Sequence, residues 1–136
     1  QVGDRILVTG PLGCSLRGKH LTFTPRVREG LALNRHYDVH SMIDISDGLV
    51  LDLSHLCEAS AVSAKVYENR IPCVDSLEHA LYDGEDYELL FTTSPEEADR
   101  IVRSELAAII GEIGAGTGVH LGKRKLRAKG WEHRFQ

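Results

Sequence analysis

The chain has 136 residues, a length that fits one domain, and 42% of them are hydrophobic, which is enough to form a core. Its formal net charge of −4 gives no general electrostatic attraction to nucleic acid or to an anionic membrane. No apolar run reaches the roughly 20 residues of a membrane span, and the three cysteines lack the C-x-x-C spacing of a zinc site. We therefore predict a cytoplasmic protein with reduced thiols and with no nucleic-acid or membrane partner.

The first half of the chain alternates predicted strands with predicted helices. Residues 4–9 form the first predicted strand, and a glycine-rich segment follows it. Thr24 and Pro25 suit the cap and the first position of a helix. After a connector over residues 36–40, Met42, Ile43 and Ile45 predict a short strand, and apolar residues recur at helical spacing after Gly48.

The second half continues this alternation. Apolar and polar residues alternate over 62–71, which predicts a strand that ends at Pro72. The remaining predicted elements are a short helix over 76–81, a strand over 87–92, a helix that opens with the capping box 94–97, and strands over 109–113 and 118–121. Strands interspersed with helices predict a single α+β domain over residues 1–136, in which helices flank a mixed sheet.

The segment from Ser41 to Leu53 carries the most informative motif, a short strand followed by a polar turn and an apolar helix. Asp44, Ser46 and Asp47 lie where the strand passes into the helix. Two carboxylates and a hydroxyl at such a junction suit a hydrated divalent cation or the phosphates bound to it. Helix capping is the simpler interpretation of Ser46 and Asp47, but it does not account for Asp44, which interrupts an apolar run. Both interpretations stay open at this point.

A second acidic cluster, residues 83–88, precedes the next predicted strand. Glu85 follows a glycine and is well placed to project from a loop. Glu88 alternates with its neighbours, and we expect it to face solvent or a neighbouring strand. The glycine-rich segment 10–18 has backbone amides that could bind phosphate, but it lacks the lysine and the spacing of a P-loop, which favours an ordinary connection.

The C-terminal segment is basic over 123–129 and also contains Trp131, the one tryptophan of the chain. The basic residues are typical of a solvated edge strand, because no aromatic residues are interleaved with them as in a nucleic-acid interface. A tryptophan near a C-terminus commonly plugs a core. Alternatively, its ring provides a stacking surface for a flat ligand.

Taken together, these motifs resemble the C-terminal domain of thiamine-monophosphate kinases, within the superfamily related to aminoimidazole ribonucleotide synthase. The family pattern has a strand-turn-helix like Ser41-Met-Ile-Asp-Ile-Ser-Asp-Gly-Leu49, a turn-strand like Asp83-Gly-Glu-Asp-Tyr-Glu-Leu89 and a terminal segment like Lys129-Gly-Trp-Glu-His133. Val8-Thr-Gly10 and Thr24-Pro-Arg26 also fit, so the resemblance covers nearly the whole chain in the family's order. It implies the layered α/β/α fold of that superfamily.

The resemblance implies an ATP- and Mg²⁺-dependent phosphorylation of thiamine monophosphate to thiamine diphosphate. It implies that Asp44 and Asp47 are magnesium ligands and that Ser46 contacts the nucleotide phosphates. It also implies that Glu85 and Trp131 contact the thiamine moiety. In the family, an N-terminal domain supplies further magnesium ligands, much of the ATP site and the homodimer interface. We therefore expect this chain to be the C-terminal half of a two-domain enzyme and to be inactive alone.

Two departures from the family pattern fall at the predicted site, since Asp83 replaces a glycine and Trp131 replaces the more usual tyrosine or phenylalanine. Two other functions also stay open. One is a different ATP-dependent superfamily member, such as aminoimidazole ribonucleotide synthase, selenophosphate synthetase or a hydrogenase-maturation protein. The other is a non-catalytic ligand-binding module that keeps the fold. The paired motifs at 41–49 and 83–89 favour the kinase.

Overall fold

A computed structural model describes residues 1–15 and 18–128 of the chain. These residues form a seven-stranded sheet and five α-helices. In chain order the elements are β1 (Arg5–Val8), α1 (Lys19–Thr22), α2 (Val27–His36), β2 (Val39–Asp44), α3 (Leu49–Ser60), β3 (Ser63–Val66), α4 (Leu77–Tyr82), β4 (Leu89–Thr93), α5 (Pro95–Arg103), β5 (Ala108–Gly114), β6 (Gly118–Leu121) and β7 (Arg124–Lys125). Within this part of the chain, no helix has the length and apolar character that crossing a membrane requires.

The sheet has the strand order β2-β4-β1-β5-β3-β6-β7. Neighbouring strands are antiparallel except for β3 and β6, which are parallel, so the sheet is mixed. β1 and β2 both run antiparallel to β4, with Val8 opposite Leu90 and Asp44 opposite Leu89. The C-terminal ends of β1 and β2 therefore lie together at one end of the sheet, beside the start of β4.

Helices cover both faces of the sheet, because successive side chains of a strand point to opposite faces. In β1, Ile6 and Val8 join a large core cluster that includes residues of α3 and α4. Leu7, between them, joins a smaller cluster with Leu33 of α2 and Ile101 of α5. The result is a layered α/β/α domain, which confirms the predicted fold class.

Several predicted boundaries agree with the structure. β6 has the predicted bounds. The hydroxyl of Ser94 accepts a hydrogen bond from the backbone N–H of Glu97 at the start of α5, as the capping-box pattern predicts. β7 is a short exposed strand at the edge of the sheet, which confirms the edge-strand prediction for Arg124 and Lys125 in the basic segment.

The helix predicted to begin at residues 24–25 begins at Val27 instead, and no side chain caps it. The residues before it are held elsewhere. The ring of Phe23 stacks on that of Tyr87, with the ring centroids 4.6 Å apart. The guanidinium of Arg26 reaches back to the sheet and binds a carboxylate there. These tertiary contacts outweigh the local preference of threonine and proline for a helix start.

Two predicted strands are shorter than expected. β3 ends at Val66, because Glu68–Arg70 form a 3₁₀ turn. β4 begins at Leu89, because Tyr87 has a left-handed backbone with a φ of 52° that does not fit a strand. By contrast, β2 begins at Val39, inside the predicted connector.

Candidate active site

Two acidic turns meet at the end of the sheet where β2 stops and β4 begins. We call residues 44–48 turn A and residues 83–88 turn B. Three backbone hydrogen bonds of 2.8 Å join the turns, from N–H to C=O in the pairs Ile45 to Glu88, Tyr87 to Ile45 and Glu85 to Ser46. These bonds extend the pairing of β2 with β4 beyond both strands. The two acidic clusters of the sequence therefore belong to one surface.

Two glycines allow the turns to pack this closely. A Cβ atom on Gly84 would lie 2.6 Å from the carbonyl oxygen of Ser46, and one on Gly48 would lie 2.9 Å from that of Tyr82. Gly48 also has a φ of +115°, which side chains other than glycine rarely allow. A larger residue at either position would separate the backbone segments that are in contact there, so both motifs need their glycine for packing.

The carboxylates of turn A have no partner in the described part of the chain. Asp44 is exposed and Asp47 is half-buried, and neither side chain accepts a hydrogen bond from a residue that the structure describes. The capping interpretation of Ser46 and Asp47 is wrong, because Gly48 is the N-cap of α3 and no side chain caps that helix. Helix capping therefore does not explain these two side chains.

The oxygen donors of turn A fit a partial magnesium site. Mg²⁺ is commonly held by one or two carboxylates together with phosphate oxygens and water. Asp44 and Asp47 supply two carboxylates, and both are without internal partners in the described part. No group of three or more His, Cys, Asp or Glu residues among the described residues is arranged to hold a metal ion. The remaining ligands would have to come from bound phosphates, water or other residues.

Asp52, which lies in the first turn of α3, binds the backbone of turn A. A single oxygen of its carboxylate, Oδ2, accepts hydrogen bonds from the N–H groups of Ser46 and Asp47, both at 3.0 Å. Asp52 is only 2% exposed, and burial raises the pKa of its carboxyl above the ordinary value, against the opposite effect of these hydrogen bonds. Because these two amides already have an acceptor, Ser46 and Asp47 offer a ligand their side chains rather than their N–H groups.

Turn B carries one acid toward solvent and buries the next. Glu85 is exposed, whereas Asp86 is 1% exposed. Both carboxylate oxygens of Asp86 accept the N–H of Gly13, at 3.1 and 3.0 Å, and one also accepts the N–H of Cys14 at 3.3 Å. These bonds favour the interpretation of the glycine-rich segment as a connection, since its amides at these positions bind the protein itself. Glu85 and Tyr87, on either side of Asp86, both have left-handed backbones, with φ of 62° and 52°.

Glu88 points inward as well. It is 1% exposed and accepts a hydrogen bond of 2.7 Å from the hydroxyl of Thr9. The guanidinium of Arg26 binds both of its oxygens, through Nε at 2.9 Å and Nη2 at 3.1 Å, and these bonds raise the pKa of Arg26. Of the two predictions made for Glu88, the structure supports the neighbouring strand, because Thr9 directly follows β1.

The structure brings four of the five predicted site residues together, on turns A and B: Asp44, Ser46, Asp47 and Glu85. The fifth, Trp131, lies outside the described residues. The carboxylate of Asp83, which departs from the family pattern, accepts a hydrogen bond of 2.9 Å from Nδ1 of His79 in α4. The Asp83 carboxylate is therefore held by a side chain of α4, whereas Asp44, Asp47 and Glu85 have no partner among the described residues.

Comparison with known proteins identifies the family of the chain. The family described as AIR synthase related protein, C-terminal domain, matches residues 1–123. The chain belongs to this family. This AIR synthase related domain is 38% identical over 130 residues to the thiamine-monophosphate kinase of Rhodopirellula baltica, an alignment that covers 87% of the chain and 41% of that protein.

Solved structures of similar fold include a ThiL protein and a hydrogenase maturation protein. The structure of AaThiL complexed with AMPPCP and TMP has a TM-score of 0.85 and 28% identity, over 98% of this chain and 52% of that one. The hydrogenase maturation protein HypE of E. coli has a TM-score of 0.74 at 20% identity, over 94% of this chain and 50% of that one, a likeness that shows the fold alone. The chain spans about half the length of the relatives that it matches. The predicted resemblance to thiamine-monophosphate kinases is confirmed.

Proposed function

We propose that this domain is the C-terminal half of a two-domain enzyme that uses ATP and Mg²⁺ to phosphorylate thiamine monophosphate to thiamine diphosphate. The observation that carries the proposal is the junction of turns A and B, where two carboxylates without partners in the described part lie on the same surface as Glu85. Similarity to a thiamine-monophosphate kinase, and to AaThiL solved with AMPPCP and TMP, supports these substrates.

Asp44 and Asp47 are the proposed magnesium ligands, and Ser46 is the proposed contact of the nucleotide phosphates. Bound Mg²⁺ would neutralise phosphate oxygens during the transfer. In that transfer, a phosphate oxygen of thiamine monophosphate bonds to the γ-phosphorus of ATP, and the bond from that phosphorus to the leaving ADP breaks. Little covalent chemistry is left to the protein, so its main contribution is the position of its charged groups. The hydrogen bonds of turn A to turn B and to Asp52 provide that position.

Glu85 is the proposed contact of the cationic thiazolium ring, and Trp131 is the proposed aromatic residue beside it. A carboxylate and an aromatic face both attract a flat cationic ring. Glu85 is exposed and lies in a turn with two left-handed residues, the kind of backbone strain that is commonly stored at ligand sites.

The proposal extends to the rest of the enzyme. An N-terminal domain would supply further magnesium ligands and most of the ATP site, and would form a homodimer in the cytoplasm. The described residues support this division, because their acids alone do not complete a metal site. We therefore expect the 136-residue chain to form no thiamine diphosphate by itself.

The test is an assay of the longer parent protein for thiamine diphosphate made from thiamine monophosphate, ATP and Mg²⁺. We expect product from the parent protein and a large loss in Asp44→Asn and Asp47→Asn. Asp99→Asn is the matched control, because this exposed acid of α5 lies outside both turns. A different result is that the parent protein forms no product from thiamine monophosphate and instead carries out the reaction of aminoimidazole ribonucleotide synthase, selenophosphate synthetase or a hydrogenase-maturation protein. That result would contradict the kinase proposal and assign the domain to the superfamily member with that reaction. Failure in all of these reactions would favour a ligand-binding module.

A further inference from the structure

We infer that Asp52 is a positioning residue of the proposed magnesium site, and that it aims the Asp47 carboxylate by holding the backbone of turn A. This inference rests on the proposed function and adds a residue to the same site. Asp52 would not touch the metal or the substrates. It would act through the amide of Asp47, one hydrogen bond away.

The first step of the argument is that the Asp47 side chain is not held by its own contacts. No residue in the described part donates a hydrogen bond to its carboxylate. The backbone therefore fixes the point from which this carboxylate extends, and with it the rotamers that reach the site. That backbone is fixed by the N–H bond from Asp47 to Oδ2 of Asp52, and by the matching bond from Ser46 to the same oxygen, both 3.0 Å long.

The second step is that Asp52 and turn B hold turn A from opposite sides. On the turn B side, the carbonyl of Ser46 accepts the N–H of Glu85, and Gly84 packs against the same carbonyl. On the side of α3, the carboxylate of Asp52 accepts hydrogen bonds from the N–H groups of Ser46 and Asp47. Asp52 is itself fixed, since it is 2% exposed and its own N–H donates to the carbonyl of Gly48 at 3.0 Å. Removing its oxygen would release one side of turn A and leave the other side in place.

A competing explanation is that Asp52 only stabilises α3. Acids in the first turn of a helix interact favourably with the helix dipole, and Asp52 occupies such a position. However, both of its hydrogen bonds go to residues that precede the helix. The side chain of Asp52 therefore fixes the backbone of turn A rather than that of α3.

The test measures amide hydrogen exchange of Ser46 and Asp47 by NMR in the 136-residue chain, without metal or substrate. In Asp52→Ala we expect both amides to exchange about ten-fold faster or more, since a hydrogen bond to a charged acceptor is lost. In Asp52→Asn we expect exchange close to that of the parent chain, because a single amide oxygen replaces the single oxygen that accepts both bonds. Ser54→Ala is the matched control, a buried polar residue of α3 whose hydroxyl donates to the carbonyl of Leu51 and to no other group in the described part of the chain.

The inference would be overturned if the two amides of Asp52→Ala exchanged at the rate of the parent chain. It would also be overturned if those of Asp52→Asn exchanged as fast as those of Asp52→Ala. If Asp52→Ala does not fold, Asp52→Asn decides alone. A folded Asn variant with protected amides supports the inference, whereas an unprotected or unfolded one contradicts it.

The second measurement is the Mg²⁺ dependence of thiamine diphosphate formation in the longer parent protein. We expect Asp52→Ala to raise the Mg²⁺ concentration for half-maximal rate about ten-fold or more, as is typical when a group that orients a metal ligand is lost. At saturating Mg²⁺, the half-saturating concentration of thiamine monophosphate should stay within about two-fold, and Asp52→Asn should restore the Mg²⁺ dependence. An unchanged Mg²⁺ dependence would overturn the inference and leave the proposed function standing. Turnover by the unaltered parent protein tests that function separately.

Discussion

Replacing Arg26 with methionine should lower the free energy of unfolding of the chain by about 2–4 kcal/mol. The guanidinium binds Glu88 through two hydrogen bonds, of 2.9 and 3.1 Å, and Glu88 is 1% exposed. Removing one partner of a buried ion pair costs about 3–5 kcal/mol, because the other charge stays buried without compensation. We expect a somewhat smaller loss here, because the side chain of Arg26 is 28% exposed and the Thr9 hydroxyl still donates to Glu88.

The measurement is urea denaturation of the 136-residue chain, in which the midpoint should fall while the slope stays constant. Arg28→Met is the matched control, because Arg28 is exposed in α2, two residues after Arg26, and its replacement should cost less than about 0.5 kcal/mol. The double variant Arg26→Met/Glu88→Leu should recover part of the loss, since the buried carboxylate is then removed together with the guanidinium. Equal midpoints for the Arg26 and Arg28 variants would refute the reasoning.

Three further predictions concern single residues or pairs. In the longer parent protein, Asp44→Asn and Asp47→Asn should each lower the catalytic rate roughly hundred-fold or more, with the free energy of unfolding changed by less than about 0.5 kcal/mol. A loss of stability large enough to account for the loss of rate would show that the two acids have a structural role. Gly84→Ala should destabilise the chain by about 1–3 kcal/mol, because its Cβ would lie 2.6 Å from a carbonyl oxygen, and urea denaturation would detect this. Burial raises the pKa of Cys57 from 9.0 to about 11, so the neutral thiol stabilises the fold fully below pH 9, and stability on the order of 2 kcal/mol should be lost as the pH rises through 11. Cys57→Ala should remove this pH dependence in urea denaturation.

The positions of turns A and B could be predicted from the sequence because their local signals agree. In turn A, an apolar strand gives way to polar residues and a glycine, and a helical apolar pattern follows at once. Turn B has the same sequence of signals in reverse order. Patterns of this kind depend on neighbouring residues, which is why the layered fold and the two acidic turns were predictable without coordinates.

The roles of the individual acids could not be predicted in the same way. Asp44 and Asp52 are the same residue type, yet the first is exposed and the second is 2% exposed with two amide donors. Glu88 depends on Thr9, which is 79 residues away in the chain, and Asp86 depends on Gly13, which is 73 residues away. A weak signal was available for Asp52, which interrupts an apolar stretch of α3. The partner that makes its burial favourable becomes visible only in the folded chain.

The charge of this surface leads to a last prediction. Turns A and B together contain six acidic residues and no lysine or arginine. Asp86 and Glu88 are buried and bound by other residues, so the acids that a ligand can reach are Asp44, Asp47, Asp83 and Glu85. Such a surface attracts cations and repels phosphate, so a phosphate group should bind there only together with a metal ion. The cationic ring of thiamine has no such requirement.

We therefore expect Mg²⁺ to raise the affinity of the longer parent protein for thiamine monophosphate about ten-fold or more. Thiamine, which has the same ring system without the phosphate, should bind with an affinity that changes less than about two-fold. Calorimetric titrations of both compounds, with and without Mg²⁺ at constant ionic strength, measure the difference directly. The same Mg²⁺ effect on both compounds would mean that the metal acts on the fold rather than on the phosphate. A phosphate that binds equally well without Mg²⁺ would mean that other cationic groups, outside turns A and B, neutralise it.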